Sequence, residues 1–361
     1  MRLVFEDGVS FMGRPFGALR EVAGEVVFNT GMTGYVETLT DPSYENQILN
    51  MTYPLVGNYG VPEGPYESGK IQVQALIVHA YCPTPSHHSC RMTLGEWLKK
   101  HEIPGIEGVD TRSLTRYLRT RGTVNGRLEL EEHEKRGLKS ISQAKSVNMS
   151  ESGQIVSLSE TKVYPGEGPR ILVVDTGAKE NIVRCLQKQG AHVIRVPYFS
   201  DWKSLAHQVD GLFMTNGPGN PTDVANQMVP QVKEFLAREI PIFGICLGHQ
   251  LLALSVGAKT FKLKYGHRSH NQPVQDLTTM RTYLTSQNHS YAVNPQTLPP
   301  DWEPWFTNLN DGSNEGFRHK HKPFRSVQFH PEASSGPRDS MGMFSDFIED
   351  IRKRQRAKRP A

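Results

Sequence analysis

Residues 241–258 read PIFGICLGHQLLALSVGA. An apolar strand-like run enters Gly244-Ile245-Cys246-Leu247-Gly248 and leaves as a helix, the sequence form of a sharp strand-to-helix turn with a nucleophile at its tip. Glycines flank such a turn because neighbouring backbone approaches it too closely for side chains. The following helix would aim its free N–H groups and positive end at the thiol, favouring thiolate and offering the Leu247 N–H to a developing oxyanion. Taken alone, the segment reads equally well as a buried structural cysteine at a βα turn.

Working back toward the N-terminus, ILVVDTG (171–177), KENIVRCLQKQG (179–190), HVIRVPY (192–198) and GLFMTNGPG (211–219) alternate apolar strand and helix patterns. Repeated βα units predict an α/β domain built on a doubly wound, mostly parallel sheet, with ligands at the carboxyl ends of its strands. Thr215-Asn216-Gly217-Pro218-Gly219-Asn220-Pro221 is a rigid turn directly after one strand. It reads as a plain loop or, with Gly219 as donor, as the second half of an oxyanion hole. Downstream, FRSVQFHPEAS (324–334) places His330 and Glu332 on either side of one proline at a strand end. A thiol needs a base and the base an orienting group, and this pair supplies both. His249 and His289 compete for the role, but neither has an acid two residues on.

The first 130 residues differ in character. LVFEDGVSFMG, EVVFNTG and IQVQALIVHA are short β-like segments punctuated by glycine, while 93–100 and 111–119 read as short helices with Thr or Asp N-caps, so this part is expected to be α+β. Charged, Ser-rich sequence then runs to YPGEGPR. The expected organisation is therefore an N-terminal domain at 1–130, a linker at 131–168, the α/β domain at 169–352 and a basic tail at 353–361.

Composition bounds the function. With 37% hydrophobic and 22% charged residues the chain reads as a globular protein, and its 361 residues suit two domains. No apolar run is long enough for a bilayer and MRLVFEDG lacks a signal-peptide core, so a cytoplasmic protein with no membrane role is expected. Cys82, Cys90, Cys185 and Cys246 show no CxxC spacing and suit a reducing compartment. The net charge of +4 owes much to RKRQRAKRP at the end, and no nucleic-acid role is expected. No zinc-type ligand spacing is present, so no metal is expected.

NGPGNP, GICLGHQ and FHPE, in this order, resemble the class I (triad) glutamine amidotransferase domain over about residues 169–350. The stretches GEVVFNTGMTGYVETLTDPSYENQILNMTYPLVGNYG and GIEGVDTRSLTRYLR resemble the small, glutaminase subunits of carbamoyl-phosphate synthetase. Class I amidotransferases serving GMP, CTP or anthranilate synthesis carry the triad without this N-terminal domain. The resemblance implies Cys246 as nucleophile, His330 as base and then acid, and Glu332 as the group that orients the imidazole. It also implies glutamine contacts from Ser43, Gly217, Gly219, Leu247, Gln250, Asn288, Ser290 and Tyr291, where QNHSY departs from the family's usual QNHGF. It implies no cofactor on this chain. A synthetase partner, a separate large subunit or a fused domain, would use ATP and bicarbonate, since this sequence has no GxxxxGK[ST] loop. A stand-alone glutaminase or γ-glutamyl hydrolase, and a non-catalytic regulatory subunit, are the alternatives.

Overall fold

The computed structural model describes residues 1–135 and 156–358. Contacts divide them into two units: residues 1–135 with Lys264–Arg268, and residues 156–263 with 269–358. The inclusion of Lys264–Arg268 in the first unit departs from a boundary drawn once along the sequence. Those residues belong to the long strand Lys259–Asp276, yet Tyr265 packs against Phe28, and Thr30 N–H donates to the Arg268 carbonyl.

The first unit is an eight-stranded mixed sheet. Its centre is parallel, Val22–Asn29 beside Gln47–Met51 beside Ala75–Ile77 beside Pro104–Glu107, with antiparallel strands at the edges. Alternate residues of one strand face opposite sides, so Leu76 enters one core and Ala75 and Ile77 the other. Leu94–Lys100 covers the first face, opened by Thr93 in a capping box with Glu96, and Thr111–Arg121 covers the second, capped by Asp110. Both helices agree with the starts expected from sequence.

The second unit carries a ten-stranded sheet. Five parallel strands form its middle, in the order His192–Pro197, Arg170–Asp175, Gly211–Met214, Ile242–Ile245, Phe324–Val327. Antiparallel strands extend the sheet beyond both of its parallel edges. The β-period sorts the core: Leu172, Val174, Leu212 and Met214 meet helices Pro221–Ala237 and Leu247–Ser255 on one face. Ile171, Val173, Phe213 and Phe243 meet Glu180–Lys188 and Gly342–Lys358 on the other. Apolar residues on both sides of each strand require helices on both faces, which is why these strands read as continuous hydrophobic runs.

Two expectations at the ends of this domain change. The basic stretch from 353 is not a loose tail as far as Lys358: it continues the helix Gly342–Lys358, anchored by buried Phe347 and Ile351, and Arg354 donates to the Arg238 carbonyl. Arg, Lys, Gln and Ala are strong helix formers, so polarity there marks a solvent face. Within the expected linker, Lys162–Tyr164 is an antiparallel edge strand on His192–Pro197, and residues 136–155 lie outside the described residues. Among the described residues no helix is long and apolar enough to cross a membrane.

Candidate active site

The strand Ile242–Ile245 ends at Cys246, whose backbone stands at φ 53° and ψ −103°, and the helix Leu247–Ser255 starts immediately. A non-glycine residue held there carries about 1–3 kcal/mol of strain, which surrounding contacts must overcome. The flanking glycines follow from distance. A Cβ on Gly244 would sit 2.7 Å from the Gly248 carbonyl, and one on Gly248 would sit 2.4 Å from the Met214 carbonyl oxygen. Both obstacles are backbone and cannot swing aside. Gly248→Ala is therefore expected to lower stability by about 1–3 kcal/mol, read as a shifted midpoint in urea unfolding; an unchanged midpoint would contradict the packing described.

Gly248 N–H donates to the Thr215 carbonyl, whereas the Leu247 N–H has no acceptor among the described residues and lies in the open first turn beside the thiol. A Cβ on Gly217 would lie 2.1 Å from the Thr176 carbonyl oxygen and 2.9 Å from Leu247 Cδ2, so the Gly/Pro turn is seated against the same turn of helix. Gly219, at φ 91°, is in the left-handed region that glycine enters without penalty.

His330 joins the site from the far side. Its N–H donates to the Ser286 carbonyl, an isolated bridge that ties the end of the Phe324–Val327 segment to the strand Thr282–Asn294. Two residues further along that strand, the Asn288 carbonyl accepts from Cys246 Sγ at 3.6 Å. His330 Nδ1 lies 2.6 Å from Glu332 Oε1, while Nε2 has no hydrogen-bond partner of good geometry among the described residues. Burial works against a charged imidazole, but the Glu332 carboxylate and the Cys246 thiol outweigh it and hold the His330 pKa well above its ordinary value. Burial likewise opposes a charged Glu332, and Lys179 and His330 outweigh it, so that pKa is held low.

Sequence reasoning missed Lys179. It is buried, its Nζ lies 3.1 Å from Glu332 Oε1, and it also donates to the Ala333 carbonyl. Asn181 donates to the Glu332 carbonyl at 2.6 Å. The available signal was position: Lys179 follows the carboxyl end of Arg170–Asp175, where ligands gather in such sheets. Lys179→Met would leave the buried Glu332 with one charged partner instead of two. It is expected to lower stability by about 3 kcal/mol, measured by denaturant unfolding at neutral pH; a loss below about 0.5 kcal/mol would mean that the pair is of the weak, exposed kind.

The competing histidines are engaged elsewhere. His249 is fully buried against Phe317, bonded through Nδ1 to Ser326 Oγ, and desolvation pushes its pKa down to about 3. His289 uses Nδ1 toward the Tyr291 carbonyl and Nε2 toward Gln287 Oε1. Gln250 Nε2 donates to the Tyr291 carbonyl and to Gln328 Oε1, at 2.9 and 3.0 Å, which fixes its side chain against the strand Thr282–Asn294. Asn288 is buried, and Ser290 and Tyr291 are half-buried. Ser43 lies in the first unit, buried in the short 3-10 turn Pro42–Tyr44, with its N–H held by the Asp41 carboxylate.

Comparison with known proteins divides the chain along similar lines. Residues 3–128 match the family Carbamoyl-phosphate synthase small chain, CPSase domain, and residues 172–350 match Glutamine amidotransferase class-I. The carbamoyl phosphate synthase small chain of Clostridium perfringens is 45% identical over 96% of this chain and 98% of its own length. The arginine-specific small chain of Saccharomyces cerevisiae is 44% identical over 97% of this chain and 88% of its own. The multifunctional protein CAD of Squalus acanthias is 47% identical, but this chain spans only 16% of its length.

Proposed function

This chain belongs to the carbamoyl-phosphate synthase small-chain family, and from that premise we propose that it is the glutaminase component of a glutamine-hydrolysing carbamoyl phosphate synthase. The observation that carries the reading is the buried line Cys246–His330–Glu332, in which the only ring nitrogen of His330 without a strong bond is the one on the thiol side.

In this reading the Cys246 thiolate attacks the γ-carboxamide carbon of glutamine and the carbonyl oxygen becomes an oxyanion held by Leu247 N–H and Gly219 N–H. His330 gives its proton to the nitrogen, the C–N bond breaks, and ammonia leaves a glutamyl thioester. Water then attacks the thioester and gives its proton to His330, releasing glutamate and restoring the Cys246 thiolate beside a protonated His330. Glu332, held by Lys179, keeps the imidazole in the tautomer and orientation that both steps need. Side chains and backbone N–H groups supply every step as written, with no metal or cofactor of this chain called upon. Gly217, Gln250, Asn288, Ser290 and Tyr291 are the proposed glutamine contacts of the second unit, and Ser43 is carried over from the family resemblance alone.

Ammonia would pass to a synthetase component, separate or fused, that makes carbamoyl phosphate from bicarbonate and ATP in the cytoplasm. The deciding experiment measures glutamate release by this chain alone, then with a carbamoyl phosphate synthase large chain, ATP and bicarbonate. A slow rate that rises with the partner supports a coupled glutaminase, whereas a fast rate indifferent to the partner would show a free-standing hydrolase.

A further inference from the structure

The turn that follows Glu332 is under backbone strain. Ala333 and Ser334 are both in the left-handed region, at φ 54° and 52°, where neither side chain is favoured. Such a turn persists only where its surroundings hold it, and three side chains do so. Asn181 bonds the Glu332 carbonyl, Lys179 bonds the Ala333 carbonyl, and at the far end His270 Nε2 lies 2.9 Å from Ser335 Oγ. The first two contacts come from the region of the helix Glu180–Lys188, and the third from the strand Lys259–Asp276 on another side of the turn.

We infer that His270 is a positioning residue for the glutaminase: through Ser335 it clamps the strained turn 333–335 and so fixes the Lys179–Glu332–His330 arrangement. The inference rests on the proposed function for its reaction, though not for its geometry. Lys179 and His330 both lie within Coulomb range of His270, and burial together with these two cations keeps its pKa down at about 4. His270 is therefore neutral at physiological pH and suited to holding a hydroxyl, while a third cation beside a single carboxylate is avoided. Loss of the clamp would let the turn relax and would misplace Glu332 by a fraction of an ångström, with the effect felt where His330 hands its proton to the leaving nitrogen.

The test compares His270→Ala, His270→Gln, Ser335→Ala and the double alanine variant in the full chain with its synthetase partner. Positioning predicts that His270→Ala lowers kcat for glutamine hydrolysis by about tenfold with KM within about twofold. His270→Gln, whose amide reaches Ser335 as Nε2 does, should restore kcat to within about threefold of the parent. Ser335→Ala should match His270→Ala, and the double variant should be no worse than either single one. A glutamine variant as slow as alanine would overturn the inference in favour of chemistry by the imidazole itself; alanine at parent rate, or effects of the two sites that multiply, would overturn it as well.

A second readout separates this inference from the proposed function. The rate of Cys246 alkylation by iodoacetamide, followed by peptide mapping, requires only the thiol and its base. Should the parent chain release no glutamate, the proposed function fails, yet slower alkylation in His270→Ala with recovery in His270→Gln would still support the clamp, and equal rates in all variants would refute it. Melting temperatures within a few degrees of the parent show that each variant has folded.

Discussion

Cys246→Ser is expected to lower glutamate release from glutamine by about a thousandfold or more, because a neutral hydroxyl replaces the only group placed to form the thioester. The serine fits: it is smaller than cysteine, and the turn tolerates a short side chain at φ 53° for the same packing reasons. Stability should therefore change little. In a complex with the synthetase partner, carbamoyl phosphate formation from added ammonia should persist at the parent rate, since that chemistry does not use the thiol. Glutamine-dependent synthesis that survives the substitution would remove Cys246 from the mechanism and with it the proposed reaction.

His330→Asn should bring a loss of similar size, as the proposed mechanism passes both proton transfers through Nε2. Glu332→Gln should cost roughly a tenth of that loss or less, because it disturbs the orientation and charge of the base without deleting it. Equal losses would mean that the carboxylate does more than orient. The same pair makes a statement about stability against pH. The Glu332 pKa is depressed in the folded chain, so its contribution is present above the ordinary value of 4.5 and fades as pH falls below it. The His330 pKa is raised, so its contribution is complete below 6.5 and fades as pH rises through the shifted value. The difference in melting temperature between the parent and Glu332→Gln should thus be greatest between those two pH values and shrink toward both acid and alkali. A difference that stays flat across the range would show that the pair is not ionised in the folded protein.

The helix starts at Thr93 and Asp110, the five central strands, the turn at Cys246 and the His330–Glu332 pair could all be read from local pattern. Each depends on a few neighbours in sequence: a cap and its third residue, an apolar run closed by a turn, a glycine on either side of a cysteine. The end of the last helix, Gly342–Lys358, is hidden in the sequence for a related reason. Its basic residues set the local composition, while the apolar residues that seat it, Phe347 and Ile351, meet partners from distant strands.

Sequence by itself determined the doubly wound domain, the elbow at Cys246 and the His330–Glu332 pair, since steric limits on single turns and the strand period act over a handful of residues. Tertiary structure alone decided which groups complete the site. It set His249 aside by burying it on Ser326, which pushes its pKa down to about 3, it engaged both ring nitrogens of His289, and it brought Lys179, Asn181 and His270 to the turn after Glu332. Those contacts join residues 154, 151 and 65 positions apart, and no local preference encodes them. They form because the parallel sheet brings the ends of separate strands to one edge, where burial leaves each polar group in need of a partner.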